Sequence, residues 1–306
     1  MLHYLTRRLV RAVVTIYAVV SVAFVLGRLS GSPAAHLLTD TATQAQIRDL
    51  NRQLGFDRPI VEQYLSYLGG ILHGDFGDSY RQTGVSSMTL VAERLGPSLT
   101  LGAVGLLGGL GLALLAVLAI HLTGSRRLQT ALVAIGSVRQ SLPDFLTGVL
   151  LVMVFSVSLG WLPSLGNSGA AAVVLPALTI ATGQFVVYLR LASSALTEQA
   201  SQDYVRTALA RGEGRTRIVL TETLPNAILP VLTVAGINLG TFLGGLVIVE
   251  NVFAWPGLGQ LMLNAVYARD FPVVQSGLIV VSVLFIVSNL VVDLLYGVID
   301  PRVVQS

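Results

Sequence analysis

Charge is confined to a few short stretches of this chain, and the runs between them are apolar over lengths that match a lipid bilayer. A membrane-spanning helix needs about 20 mostly apolar residues to cross about 30 Å of hydrocarbon. Residues 12–27 meet that need, with Arg7, Arg8 and Arg11 before them and Arg28 after, and form helix one. Residues 95–125 make a second uncharged run, in which Pro97 is expected in the first turn, where its missing N–H would be unpaired anyway. Between residues 140 and 189 only Asp144 is charged, and the turn-rich stretch GWLPSLGNSG at 160–169 divides that length into helices three and four. Residues 223–249 and 271–292 supply helices five and six. The expected architecture is an all-α membrane protein with six transmembrane helices.

Two finer patterns sit on this frame. Gly236, Gly240 and Gly244 recur every four residues along helix five, as Gly105 and Gly109 do in helix two. Such spacing lets helix backbones approach closely, either within this chain or against a partner's helices. The long polar excursion at 30–96 carries Ile60, Tyr64, Tyr67, Leu68 and Ile71 at helical spacing. It is expected to fold at the outer membrane surface, as a cap over the helix ends or as a docking surface.

Composition agrees with the pattern. Hydrophobic residues make up 53% of the 306 residues and charged residues 11%, against about 25% charged in ordinary soluble domains. All 19 basic residues are arginine, and they punctuate apolar runs instead of lining a polar face, which argues against a nucleic-acid partner. Arg7, Arg8 and Arg11, then Arg126 and Arg127, then Arg206, Arg211, Arg215 and Arg217, then Arg302 all fall on one side of six crossings, the cytosolic side by the positive-inside rule. Both termini are then cytosolic, and Trp161 and Trp255 fall at the outer interface. The N-terminus also has the form of a signal sequence ending in the small residues at 31–35, although its apolar run exceeds the usual h-region.

Chemistry is sparse. The chain has no cysteine, which removes disulfides, thiolate metal sites and cysteine catalysis. It has no lysine, so it carries no P-loop and no ATPase site of that kind. His3, His36, His73 and His121 are scattered, and no pair has metal-ligand spacing. Asp144, Glu250 and Asp293 are the acids in or beside the spans, each near an expected helix end, and they read as interface acids that reach water, not as a proton relay. No residue is assigned to catalysis, a cofactor or a metal, and the energy for any transport comes from elsewhere. A secondary carrier would show internal repeats and broken helices around midplane charge; a structural membrane subunit is the other alternative.

One polar segment needs its own explanation. In QDYVRTALARGEGRTRIVLTETLP, at 202–225, Asp203 is an expected N-cap, and Tyr204, Val205, Ala208 and Leu209 share one face of a short helix. Gly212 and Gly214 are expected to stop that helix in left-handed turns. A second short helix carries Ile218 and Val219, with Arg215 and Arg217 outward, and ends where Pro225 opens helix five. Such a knob suits either a protein that grips it or the anionic headgroups of membrane lipid.

Ala208, Gly212, Leu224 and Pro225 resemble the characteristic cytoplasmic loop of ABC importer permeases, with Arg206, Thr207 and Glu222 departing from its pattern. The segments LGFDRPIVEQYLSYLGGILHGDFGDSY, VENVFAWPGLG, RDFPVVQ and DLLYGVIDPRV are similar to the dipeptide, oligopeptide and nickel branch of that family. The resemblance implies a type I (MetI-like) permease over residues 1–306, with an extracytoplasmic subdomain at 30–96 and a coupling loop at 194–225, in the bacterial inner membrane. It implies four partners: a second permease, two ATPase subunits holding ATP and magnesium, and an extracytoplasmic solute-binding protein. It places Tyr204, Arg206, Thr207, Ala208, Arg211, Gly212, Arg215, Leu224 and Pro225 at the ATPase contact. Glu250, Asn251, Phe253, Trp255, Pro256 and Gly257 fall at the outer gate or the binding-protein contact. The implied cargo is a dipeptide or oligopeptide, with nickel or a metal chelate as the alternative within the branch.

Overall fold

A computed structural model describes residues 2–29, 31–32, 34–38 and 42–299. Its helices are α1 (Leu2–Leu29), α2 (Ala34–Leu37), α3 (Gln44–Gln53), α4 (Ile60–Leu72), α5 (Ser87–Thr123), α6 (Arg126–Ser141), α7 (Asp144–Leu151), α8 (Val174–Ala200), α9 (Asp203–Ala210), α10 (Arg215–Arg217), α11 (Leu224–Val252), α12 (Leu258–Tyr267) and α13 (Phe271–Ile299). Wide π turns follow α7, at Val152–Ser158, and precede α11, at Ile218–Thr223. Among the described residues five stretches are long and apolar enough to cross a membrane, and α6 with α7 makes a sixth if that bent pair counts as one span.

The spans differ from the sequence expectation at three boundaries. Helix two begins at Ser87, not at residue 95, so Pro97 lies inside α5. Glu93 and Arg94 had hidden that start, because a charged turn reads as loop; Gly96 before the proline leaves no side chain to crowd its ring. Helix three is a corner, with α6 and α7 bent by 105°. Leu142 takes the extended conformation that a following proline favours, at φ −90° and ψ 132°, and Pro143 precedes the new helix. Helix five begins at Arg215. Arg302 and the side chain of Asp293 lie outside the described residues.

The chain divides into two compact units, 1–97 with 257–286, and 98–256 with 287–306. In the second, α8 is central. Leu110, Ala113, Val117 and Ile120 of α5, spaced by three and four, bury against Tyr188, Leu189, Ala192 and Leu196 of α8 and against Ala227 and Val231 of α11. The close approach of α5 and α8 needs the glycines of helix two: a Cβ on Gly105 would lie 2.5 Å from Ile180, and one on Gly109 2.8 Å from the Ala181 carbonyl. The outward faces stay apolar, with Leu107, Leu115, Ile135, Val138 and Val157 all exposed, as a helix in lipid requires.

In the first unit α4 lies against α1. The rings of Tyr64 and Tyr67 sit 5.2 and 5.6 Å from that of Phe24, as the amphipathic spacing predicts, whereas Ile60 at the start of that face is exposed. Asp270, buried in the turn before α13, accepts from the Ser79 hydroxyl and from the N–H groups of Tyr80 and Arg81, which ties the loop after α4 to that turn.

Candidate functional site

Between α8 and the helix that starts at Arg215 the chain makes one tight reversal. Gln202, not Asp203, takes the extended cap conformation, and Asp203 is the first helical residue, where a negative charge complements the helix N-terminus. The far end of α9 closes in a Schellman turn. Gly212 N–H donates to the Leu209 carbonyl at 2.9 Å and Glu213 N–H to that of Ala208 at 3.2 Å, with Gly212 left-handed at φ +78°. Gly214, by contrast, has φ −71° and caps α10.

A small core holds this reversal together. Val205, Ala208 and Ile218 are buried with Tyr204 packed against them, and the Tyr204 hydroxyl donates to Gln199 Oε1 at 2.7 Å. Leu209, which the helical spacing grouped with that face, is exposed instead, because it lies about 100° round the helix from Ala208. The expected second short helix is only the three residues of α10, which run through the π turn into α11 without a break at Pro225. Proline has no N–H to donate, and the wide turn in the residues just before it absorbs the interruption. Leu224 packs on the core of its unit, while Pro225 is exposed.

Glu213 lies between two arginines, 2.8 Å from Arg211 and 3.5 Å from Arg217, and Arg211 also approaches Glu222 at 4.0 Å. Arg215 is exposed, as the sequence pattern had it, and its guanidinium lies over Gly124, where an added Cβ would stand 3.0 Å from Nη1. Arg206, Thr207, Leu209, Ala210 and Gly212 are left exposed, a surface both basic and apolar.

The turn at 250–257 is a buried corner, not a surface one. Glu250 is fully buried and accepts from the Ser98 hydroxyl, which overturns its reading as an interface acid reaching water. Trp255 is buried too, among Leu101, Leu175 and Phe253, whereas Trp161 remains exposed. A turn packed on the core of its own unit leaves no interface for the indole of Trp255. Phe253 N–H donates to the Val249 carbonyl and Trp255 N–H to that of Glu250, while Ala254 is held left-handed at φ +46° between them. The Asn251 amide donates to the Val247 carbonyl, Pro256 is half-buried and Gly257 caps α12.

Of the glycine row in helix five, Gly236 is buried and Gly244 is exposed, with open space where a Cβ would stand. The side-chain position of Gly240 lies outside the described residues. Sequence reasoning missed Arg139. Its side chain, 12% exposed, donates to Thr182 Oγ1 at 3.0 Å, the Leu142 carbonyl at 3.1 Å, Asp144 Oδ1 at 2.7 Å and the Thr179 carbonyl at 2.9 Å, clamping the α6–α7 corner to α8. The only hint in the sequence was a basic residue just ahead of a Leu-Pro pair. Among the described residues, no three histidine or acidic side chains gather in a way that would hold a metal ion.

Residues 103–305 match the family of binding-protein-dependent transport system inner membrane components, and residues 1–90 match the N-terminal family of the same membrane components. A Brucella suis biovar 1 protein that carries the name of a peptide permease is 36% identical over 316 residues, covering 99% of both chains. The glutathione transport system permease protein GsiC of Escherichia coli K12 is 35% identical over 307 residues, again covering 99% of both. A chain of the inward-facing MetNI methionine ABC transporter shares the fold at a TM-score of 0.52 and 22% identity, over 68% of this chain and 97% of that one.

Proposed function

The chain belongs to the family of binding-protein-dependent transport system inner membrane components and is a permease subunit of an ABC importer, and from that membership we propose that its cargo is a short peptide and that residues 202–225 are where an ATPase partner grips it. The names of the relatives, a peptide permease and a glutathione permease, favour a peptide over nickel or a metal chelate. The observation that carries the grip is the reversal at Gly212, a rigid turn with its own core that leaves a basic and apolar surface on an otherwise greasy chain.

In this reading Tyr204, Ala208 and Gly212 give the element its shape, Arg206, Thr207 and Arg211 face the ATPase, and Arg215, Leu224 and Pro225 join it to the membrane helices. The continuity from Arg215 into α11 makes the element a handle on a long helix. Closure of two ATP-bearing partners would draw two such handles together and tilt the permease pair, since a switch of this kind needs one two-state element that both sites bias. ATP and magnesium belong to those partners. Residues 30–96 face the outside with the turn at 250–257, near a solute-binding protein, and both chain termini lie in the cytosol.

The test exploits the lack of native cysteine. Arg206→Cys, placed in the complete importer, should crosslink to an ATPase subunit, and Gln44→Cys should not. ATP-driven uptake of a labelled tripeptide by vesicles carrying the wild-type importer checks the cargo. Crosslinking at Gln44 alone, or uptake that survives ATP depletion, would overturn the proposal.

A further inference from the structure

One arginine of the second unit lies well inside a membrane span. Arg190 is about 15 Å along the helix from the end of the Ala170–Ala200 stretch. Its side chain is exposed, and among the described residues no acid pairs with it; the guanidinium donates to the Ser137 hydroxyl of α6 at 2.6 Å. Three contacts set the antiparallel register of α6 on α8. Gln129 Nε2 donates to Ser193 Oγ at 3.3 Å, a Cβ on Gly136 would stand 2.7 Å from that of Val186, and Arg139 Nε donates to Thr182 Oγ1 at 3.0 Å. Ser137 is therefore level with the residues near Val186, and Arg190 reaches toward it, away from the Ala200 end. An arginine that merely snorkelled would turn to the nearer end of its span.

Ser137 belongs to a polar row. At about 100° per residue, Arg126, Thr130, Ser137, Gln140 and Ser141 fall within one sector of α6 about 100° wide, broken only by Val133. Ser137 is half-buried and the other four polar residues are exposed. Beside this sector, past Arg127, the exposed residues are Ala131, Ala134, Ile135 and Val138, and the remaining side of α6 packs on α8. Lipid suits the apolar sector. It does not suit the polar one. The hydroxyls of Thr130 and Ser141 turn to their own backbone, but the Gln140 amide has no partner among the described residues and Arg190 has no counter-charge. From Arg126 to Gln140 the row rises about 21 Å along the helix, beside a hydrocarbon core about 30 Å thick.

We propose that this row faces the water-filled route of the cargo, and that Arg190 receives the C-terminal carboxylate of a peptide as it passes. The second half rests on the peptide reading of the cargo. Every free peptide carries that carboxylate whatever its sequence, and the guanidinium fork matches its two oxygens. Asp144, seven residues beyond Ser137, does not compete for Arg190, because Arg139 already holds it at 2.7 Å. A single exposed charge pair is weak, and a site on a route must release what it binds. A peptide held at Arg190 and extended along the row covers Gln140, whose amide is free to bond the peptide backbone.

Single cysteines in this cysteine-free chain report on water. A thiol attacks a charged methanethiosulfonate as its thiolate, which forms in water and not in lipid. In the complete importer, reconstituted in vesicles with and without ATP, Gln140→Cys and Ser141→Cys should label on this chain in at least one state. Ile135→Cys and Val138→Cys should label about tenfold more slowly or not at all. Millimolar trialanine should slow labelling of Gln140→Cys about three- to tenfold, and trialanine amide, which lacks the carboxylate, should not. Adding Arg190→Gln should remove that protection while labelling persists, and Arg190→Lys, which keeps the charge without the fork, should retain part of it. Gln140→Cys and Ser141→Cys that stay unlabelled in both states, as under lipid or a partner's helix, would overturn the route and leave the importer reading intact. Labelling without protection by trialanine, or equal protection by the amide, would overturn the carboxylate site. Tripeptide uptake by the same vesicles separates the two readings: uptake without protection removes only the role of Arg190, whereas loss of both counts against the peptide cargo as well.

Discussion

Replacing Gly212 by valine should uncouple transport from ATP hydrolysis while the chain still inserts. Gly212 sits at φ +78°, in the left-handed region, and no neighbouring atom lies within 4 Å of where its Cβ would stand. The cost of a side chain there is therefore a backbone cost. Leaving the right-handed region costs a non-glycine residue about 1–2 kcal/mol, and more when the side chain is β-branched. That lowers the population of the native turn about 5- to 30-fold, breaking the bonds to Leu209 and Ala208 and loosening Ile218 from Val205 and Ala208. Asparagine tolerates the left-handed region and is the matched control. The assay is transported peptide per ATP hydrolysed in reconstituted vesicles, with and without anionic lipid. Valine should lower the ratio severely, alanine partly and asparagine least. A second control reverses Arg206 and Arg217 to glutamate: a loop that only meets lipid loses function through charge and only on anionic vesicles. Equal ratios for the valine and asparagine variants would refute the reasoning.

Three further outcomes follow from the packing. Gly109→Leu should cost at least about 1–3 kcal/mol of stability, since its side chain would enter the Ala181 backbone, whereas Gly244→Leu should leave the melting temperature of the isolated chain unchanged; the reverse order in a thermal melt would show that the α5–α8 contact is wrong. Arg139→Ala should lower stability by about 1–3 kcal/mol through the stranded Leu142 and Thr179 carbonyls, and normal melting of that variant would refute the clamp. Burial raises the Tyr67 and Tyr80 phenols above their ordinary value of 10.0. Above that pH the unfolded chain loses these protons while the folded chain keeps them, so stability should fall as pH rises, and the fall should be shallower in Tyr67→Phe; an unchanged slope in an alkaline denaturation series would contradict it.

What the sequence revealed and what it hid have physical reasons. The reversal at Gly212 was legible because a glycine followed an amphipathic stretch of one or two turns, and the residues on its inner face, Tyr204, Val205 and Ala208, pack as their spacing predicts. The corner between α6 and α7 was not, because apolarity is identical on both sides of a bend, and only Pro143 marks it. Glu250 and Trp255 misled for a related reason. Position near the end of an apolar run says how far a residue lies from water along the helix axis, and nothing about what folds over it.

The clamp at Arg139 has a consequence for how the chain is made. Two of its bonds reach residues three and five positions away, and two reach residues 40 and 43 positions away on α8. Synthesis delivers the near partners first, so the corner can begin to turn as it leaves the ribosome, but half of what fixes its angle arrives only with α8. Until then a guanidinium waits with two of its four partners missing, and loop closure over some forty residues must be completed before the bend is locked. A chain cut before Thr179 would thus carry both helices of the corner and yet lack a defined angle between them.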